Sequence, residues 1–255
     1  MSLLAIDIGN TNIVAGLFQN KTLQQHSRFA SHKEFQQKDW QQMAQNQMQA
    51  LCKNEPQAWI LASVVPDLTA YCIATLKQLY PKAKGLVVDH QKNFGFKIAL
   101  KQPKQVGIDR LVNSSYAYEL AQGDVISIDL GTATTFDVVT QEQGFIGGVI
   151  MPGFKTAFES LAKRADQIKE IPELKKPKAV VGDNTLACLQ SGLYHGYASI
   201  IDGMVQKISE EQKRDFKVYI TGGLAPLFLN ETKCGARYEE HLTLKGLQIV
   251  WERGS

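Results

Sequence analysis

Twice in this chain an apolar run ends in Asp-x-Gly-x-Thr, and the chain then turns straight into a second β-rich run. The first copy is Asp7-Ile8-Gly9-Asn10-Thr11-Asn12, preceded by Leu3-Leu4-Ala5-Ile6 and followed by Ile13-Val14-Ala15-Gly16-Leu17-Phe18. The second is Asp129-Leu130-Gly131-Thr132-Ala133-Thr134-Thr135, between Val125-Ile126-Ser127-Ile128 and Phe136-Asp137-Val138-Val139-Thr140. Placed at the start and again near the middle of 255 residues, the two copies predict two related halves. Each half would carry an acidic, glycine-bent hairpin. Two such hairpins facing each other across a cleft suit a nucleoside triphosphate with its metal ion.

The residue types explain that choice of ligand. Glycine at a turn permits positive φ and lets the backbone come close to a phosphate. Backbone N–H groups, with Asn and Thr side chains, are neutral donors to phosphate oxygens. A carboxylate at the strand end would repel phosphate directly. It is better used on a hydrated cation, since Mg²⁺ keeps several waters and takes few protein carboxylates. A single Asp-x-Gly is also a common hairpin turn; the matched context of two copies is what favours the cradle. Thr221-Gly222-Gly223 follows a predicted strand and precedes a predicted helix, and would complete it.

Around these motifs the pattern is α/β. A hairpin region spans 3–29, turning near Gln19-Asn20, and Ser31-His32-Lys33-Glu34 fits a helix capping box. Phe35, Trp40, Met43, Ala44, Met48 and Leu51 follow at helical spacing, with glutamines on the outer face. Trp59–Val65 reads as a buried strand ended by Pro66, Thr69–Leu79 as a helix and Gly85–Asp89 as a strand. A helix is expected over Ile108–Ala121, strands over Val125–Asp129 and Gly144–Ile150, and a helix over Thr156–Arg164. Thr185–Ile208 reads as a long helix, with Asn184 or Thr185 as its cap, Val218–Ile220 as a strand and Leu242–Trp251 as a last helix. This order implies mixed sheets covered by helices, in two domains over 1–115 and 116–255.

Gly107-Ile108-Asp109-Arg110 opens the helix that follows the Pro103 break. A carboxylate in a first turn is favoured by the helix dipole, so capping explains Asp109 locally. An arginine there gains nothing from the dipole, and a substrate carboxylate or phosphate is its better partner. An aspartate beside it, facing a cleft, could take a hydroxyl proton during phosphoryl transfer. Neither hairpin offers a P-loop lysine, so a monovalent cation near the phosphates is chemically sensible.

Composition narrows the class. Hydrophobic content of 44% and a net charge of +3 suit a soluble globular protein and do not call for nucleic acid. Four scattered cysteines include no C-x-x-C, which predicts reduced thiols in the cytoplasm. No apolar run is long enough for a membrane span. The five histidines have no metal-ligand spacing, and P-loop, G-x-G-x-x-G and G-x-S-x-G motifs are absent.

Six elements in order resemble the type III pantothenate kinases of the actin/hexokinase/Hsp70 superfamily. They are Asp7–Asn12, Gly107–Arg110, Asp129–Thr135, Gly147-Gly148-Val149-Ile150-Met151-Pro152-Gly153, Gly182–Thr185 and Thr221–Gly223. The resemblance implies two related actin/ribonuclease H-like domains with the active-site cleft between them. It implies ATP-dependent phosphorylation of pantothenate, the first step towards coenzyme A. Asp7, Ile8, Gly9, Asn10, Thr11, Asn12, Ile13 and Val14 would surround the ATP phosphates and Mg²⁺, and Thr132 would contact ATP. Gly107, Ile108, Asp109 and Arg110 would bind pantothenate, with Asp109 as the base. Asp129 would hold K⁺ or NH₄⁺. Thr185 would touch pantothenate across the interface of a homodimer. Leu100-Lys101-Gln102-Pro103 occupies a stretch where the family often carries an aromatic residue. Competing readings are another small-molecule kinase of the superfamily, a phosphatase of it, and a non-catalytic nucleotide-binding regulatory protein.

Overall fold

Leu3, Leu4, Ala5, Ile6 and Ile8 are all buried, as a strand covered on both faces requires. In the computed structural model, which describes residues 1–163 and 175–254, they form β1 (Ser2–Ile8). It pairs antiparallel with β2 (Asn12–Gln19), which pairs antiparallel with β3 (Thr22–Ala30). The turn between β2 and β3 holds Asn20 and Lys21 at positive φ, close to where the sequence places it. On its other side β1 pairs parallel with β4 (Ala58–Ser63), and β4 with β5 (Lys84–Val87).

The second sheet repeats this order. Its central strand β6 (Val125–Leu130) pairs antiparallel with β7 (Ala133–Thr140), which pairs antiparallel with β8 (Gly144–Pro152). On the other side β6 pairs parallel with β9 (Lys217–Thr221), and β9 with the short β10 (Arg237–Tyr238). The orders are β3-β2-β1-β4-β5 and β8-β7-β6-β9-β10, so the two halves share one topology. This is the expected pair of ribonuclease H-like halves. In β8 the register slips where Val138 faces Gly147 and Val139 faces Phe145. Gly147 lies at φ 131°, so the glycine there serves a β-bulge.

Helices cover each sheet. Trp40, Ala44, Met48 and Leu51 of α1 (Gln37–Leu51) and Leu68, Cys72 and Leu76 of α2 (Pro66–Leu79) share a core with β1 and β4. Pro66, expected to end a strand, opens α2 as its first residue, where a missing N–H is harmless. α3 (Ile108–Ala121) has the predicted bounds. In the second half α4 (Phe154–Ala162), α5 (Thr185–Gln212) and the single-turn α6 (Ala225–Phe228) follow. Phe154, Tyr194, Tyr197, Ile201, Val205 and Phe228 from these helices pack on β6, β7 and β9. The predicted end of the α4 segment at Arg164 lies outside the described residues.

One compact unit comprises Met1–Glu119 with His241–Ser255, and the other Leu120–Glu240. The C-terminal helix α7 (Leu242–Gly254) therefore belongs with the first unit. Its Leu244 meets Gly16 of β2, and its Gly246 lies against the Val112 carbonyl of α3. That contact fixes the helix where it is. All four cysteines are free, and no described helix is long and apolar enough to cross a membrane.

A Cβ at position 246 would stand 2.2 Å from the Val112 carbonyl oxygen, which is backbone and cannot step aside. Gly246→Ala is expected to lower stability by about 1–3 kcal/mol, the range for an overpacked core. Urea unfolding of the full chain checks this, and an unchanged midpoint would contradict the α7–α3 packing.

Candidate active site

In the first unit the site grows from the C-terminal ends of two parallel neighbours, where ligands of open α/β sheets gather. Asp7 is half-buried and sits next to last on β1, opposite Val14 of β2 and Ala62 of β4. The turn beyond it is closed by the Gly9 N–H, which donates to the Asn12 carbonyl at 2.9 Å. Gly9 is not at positive φ, contrary to the usual reason for a turn glycine. Proximity explains it instead: a Cβ there would stand 3.0 Å from the Asn12 oxygen. Asn10 and Thr11 are exposed at the crest, while Asn12, Ile13 and Val14 lead into β2.

Ser31, expected to cap a helix, clamps this turn instead. Its hydroxyl donates to the Gly9 carbonyl at 2.7 Å, and its N–H donates to the Thr11 carbonyl at 2.9 Å. Its own carbonyl accepts from the buried Trp40 indole at 2.9 Å. α1 starts later, after Gln36, with no side-chain cap. Lys33 Nζ donates to Asn10 Oδ1 at 2.6 Å. Neither Ser31 nor Lys33 entered the predicted site, because contacts across some twenty residues of hairpin leave no local pattern in a sequence.

Gly107–Arg110 joins the same end of this unit. The Ile8 carbonyl accepts from the Val64 N–H at 3.1 Å. The Val64 side chain in turn lies 3.7 Å from where a Gly107 Cβ would be. That Cβ would also lie 2.3 Å from Asp109 Oδ1, so the glycine makes room for the carboxylate. Asp109 Oδ1 accepts the Arg110 N–H at 2.9 Å. Burial pushes the Asp109 carboxyl above its ordinary range, with the Arg110 N–H and charge opposing this less strongly. Ile108 is buried and anchors the turn, and Arg110 is half-buried. The first unit thus brings Asp7–Val14 and Gly107–Arg110 together.

The second unit builds its turn differently. Asp129, half-buried, pairs with Thr135 and Thr221. The Gly131 N–H donates to the Ala133 carbonyl at 3.1 Å, and Gly131 too lies outside the positive-φ region. The Thr132 carbonyl accepts from the Gly153 N–H at 3.0 Å and from Thr156 Oγ1 at 2.8 Å. A Cβ on Gly153 would stand 2.2 Å from the Gly131 oxygen. Gly222, at φ 98°, lies against the backbone of Leu130. The three glycine elements 131, 153 and 222 therefore close on one another around an exposed Thr132. Thr185 is exposed at the first position of α5, which is capped by Asn184 Oδ1 accepting the Ala187 N–H at 3.0 Å.

Asp7 offers one hard oxygen donor group beside an open turn, as a largely hydrated Mg²⁺ needs. Asp129 Oδ1 and the Ala133 carbonyl oxygen lie 3.4 and 3.5 Å from where a Gly131 Cβ would stand. A second finding escaped the sequence spacing: the His26 and His241 rings meet at 4.5 Å between centroids.

A model of the type III pantothenate kinase family matches residues 3–207. The type III pantothenate kinase of Moorella thermoacetica is 38% identical over 260 residues, covering 99% of this chain and 100% of that protein. That of Anaeromyxobacter sp. (strain K) is 38% identical over 255 residues, covering 98% and 99%. Among solved structures, a ROK family glucokinase from Streptomyces griseus in complex with glucose and AMPPNP aligns with TM-score 0.59 at 11% identity, covering 99% of this chain and 98% of that one. The activator of 2-hydroxyisocaproyl-CoA dehydratase from Clostridium difficile with bound ADPNP aligns with TM-score 0.54 at 9% identity, covering 99% and 96%. At such identities the structural likeness is one of fold.

Two glycines of the second turn separate contact from composition. Gly153→Ala drives a methyl into backbone and is expected to lower stability by about 1–3 kcal/mol, whereas Gly223, with nothing within 4 Å, should tolerate alanine. Chemical denaturation of both variants reads the difference, and equal effects would refute the close packing of 131 on 153.

Proposed function

The chain belongs to the type III pantothenate kinase family, and on that premise we propose how its residues share the transfer of phosphate from ATP to pantothenate. The enzyme phosphorylates pantothenate in coenzyme A biosynthesis, and the observation that carries this is 38% identity to such kinases along the whole chain. That identity decides for pantothenate against the sugar-kinase, phosphatase and regulatory readings.

The acceptor hydroxyl must lose its proton as its oxygen attacks phosphorus. Asp109 takes that proton at its carboxylate. Its burial supports the role, because a carboxyl held above its ordinary range is a stronger base once ionised. Gly107 and Ile108 shape the wall beside it, and Arg110 pairs with the carboxylate of pantothenate. The turn Asp7–Val14 orients the triphosphate through backbone N–H groups, Asn10 and Thr11, and Asp7 would hold Mg²⁺. Thr132 contacts ATP, and Asp129 would hold K⁺ or NH₄⁺. Bound there, these ions would supply charge neutralisation to the phosphates. Transfer of this kind depends on position and electrostatics more than on covalent help.

Thr185 approaches the pantothenate of a second copy in a homodimer. The segment around it supports a protein partner: Val180, Val181 and Leu186 are 66%, 85% and 54% exposed. The exposed free thiol of Cys188 fits a reducing compartment, in keeping with a cytoplasmic enzyme.

Asp109→Asn is expected to cut turnover by about 10²–10⁴-fold, the usual worth of a positioned base. Its stability should match or exceed the parent at neutral pH. The folded carboxyl has its pKa raised above the unfolded value, so ionising it weighs on the native state. That penalty is complete above the folded pKa and gone below the unfolded one, so the variant's advantage fades as pH falls between them. In the parent, kcat/KM should fall with decreasing pH through the same raised value. Near-normal turnover in Asp109→Asn removes it from the mechanism. For the second carboxylate, coupled ATP turnover in Mg²⁺ buffer is expected to require K⁺, and in Asp129→Ala to be low and no longer stimulated by K⁺. Turnover indifferent to K⁺ in the parent discards the cation role.

A further inference from the structure

We propose that Lys33 is a phosphate-binding residue of the first hairpin, donating from its ammonium to the triphosphate of ATP. The proposal rests on the assignment of that hairpin to ATP. Neither Asp7–Val14 nor Asp129–Thr135 contains a lysine or arginine. Yet the structure sets an ammonium 2.6 Å from Asn10 Oδ1, at the exposed crest of the first turn.

The backbone is built to deliver it. Ser31, 1% exposed, is tied to Gly9 and Thr11 on one side and to the Trp40 indole on the other. The next residue, His32, sits at φ 46°, a left-handed conformation uncommon for a residue with a β-carbon. Three contacts hold it there. The Phe35 N–H donates to the His32 carbonyl at 3.0 Å, the two rings stack at 4.3 Å, and His32 Nδ1 meets Glu34 Oε1 at 2.8 Å. The left-handed residue reverses the chain, so that Lys33 returns to the turn that Ser31 has just clamped. Glu34, the nearest acid in the chain, is turned to His32.

The hydrogen-bond inventory fits this role. A lysine ammonium has three donors, and Asn10 uses one of them. The remaining two suit phosphate oxygens. With Oδ1 directed at the ammonium, Asn10 keeps its amide N–H donors for the same ligand. Lysine is well suited here, since it binds phosphate as a point charge.

The test measures Mg²⁺·AMPPNP and adenosine binding by calorimetry, alongside steady-state turnover, for the parent, Lys33→Ala and Lys33→Arg. Lys33→Ala should weaken AMPPNP binding and raise KM for ATP roughly tenfold, in line with losing a hydrogen bond to a charged group. Adenosine binding, KM for pantothenate and the melting temperature should be unchanged. Lys33→Arg should recover most of the loss, and the salt dependence of AMPPNP affinity should flatten in Lys33→Ala. Unchanged AMPPNP affinity in Lys33→Ala, or an equal loss for adenosine, overturns the proposal. The kinase reading fails separately, if the parent binds AMPPNP but shows no pantothenate-dependent turnover.

Discussion

The central strand of each sheet is the constraint on which the rest depends. β1 and β6 each pair antiparallel on one side and parallel on the other. A strand so placed is covered on both faces and must be apolar nearly throughout. Only at its last residues does the sheet end and a charge become tolerable. Asp7 and Asp129 stand at those positions, each half-buried among neighbours that are fully buried. The carboxylate therefore emerges where the sheet's cover stops, and the turn beyond it is open to a ligand. The parallel partner, β4 or β9, brings its own following loop to the same edge. Val64 arrives that way in the first unit and Gly222 in the second, and Gly107, which comes after β5 in the chain, lies against Val64.

Much of this could be read from the sequence, because it is local. Apolar runs, the turn residues after them and the Asp-x-Gly-x-Thr repeat lie within spans of about a dozen residues. The bounds of α3 and the capping of α5 by Asn184 are equally local, and both stand as expected. What escaped is decided by distance in the chain. Ser31 satisfies the composition of a capping box, but a buried hydroxyl twenty-two residues from Gly9 found a better acceptor in the turn carbonyl. α7 follows the second unit in sequence, yet its small Gly246 and apolar face find their partners in α3 and β2. The turn glycines were correctly marked as special for the wrong reason. Gly9 is needed for close approach rather than for handedness, and composition alone cannot separate the two.

The two hairpins, alike in sequence, are held by unlike means. In the second, backbone packs on backbone, Gly131 on Gly153 and Leu130 on Gly222, and the Thr156 hydroxyl donates to the Thr132 carbonyl. No Cβ can be added at Gly153 or Gly222 without moving the main chain. In the first, the clamp is a serine side chain, and the loop carrying it also carries Lys33. The two halves thus share a strand order without sharing the means of fixing the turn. The first turn is thereby coupled to the loop after β3, which sets Lys33 against Asn10 at its crest, whereas the second, whose motif holds neither lysine nor arginine, is coupled to the start of α4 through Gly153 and Thr156.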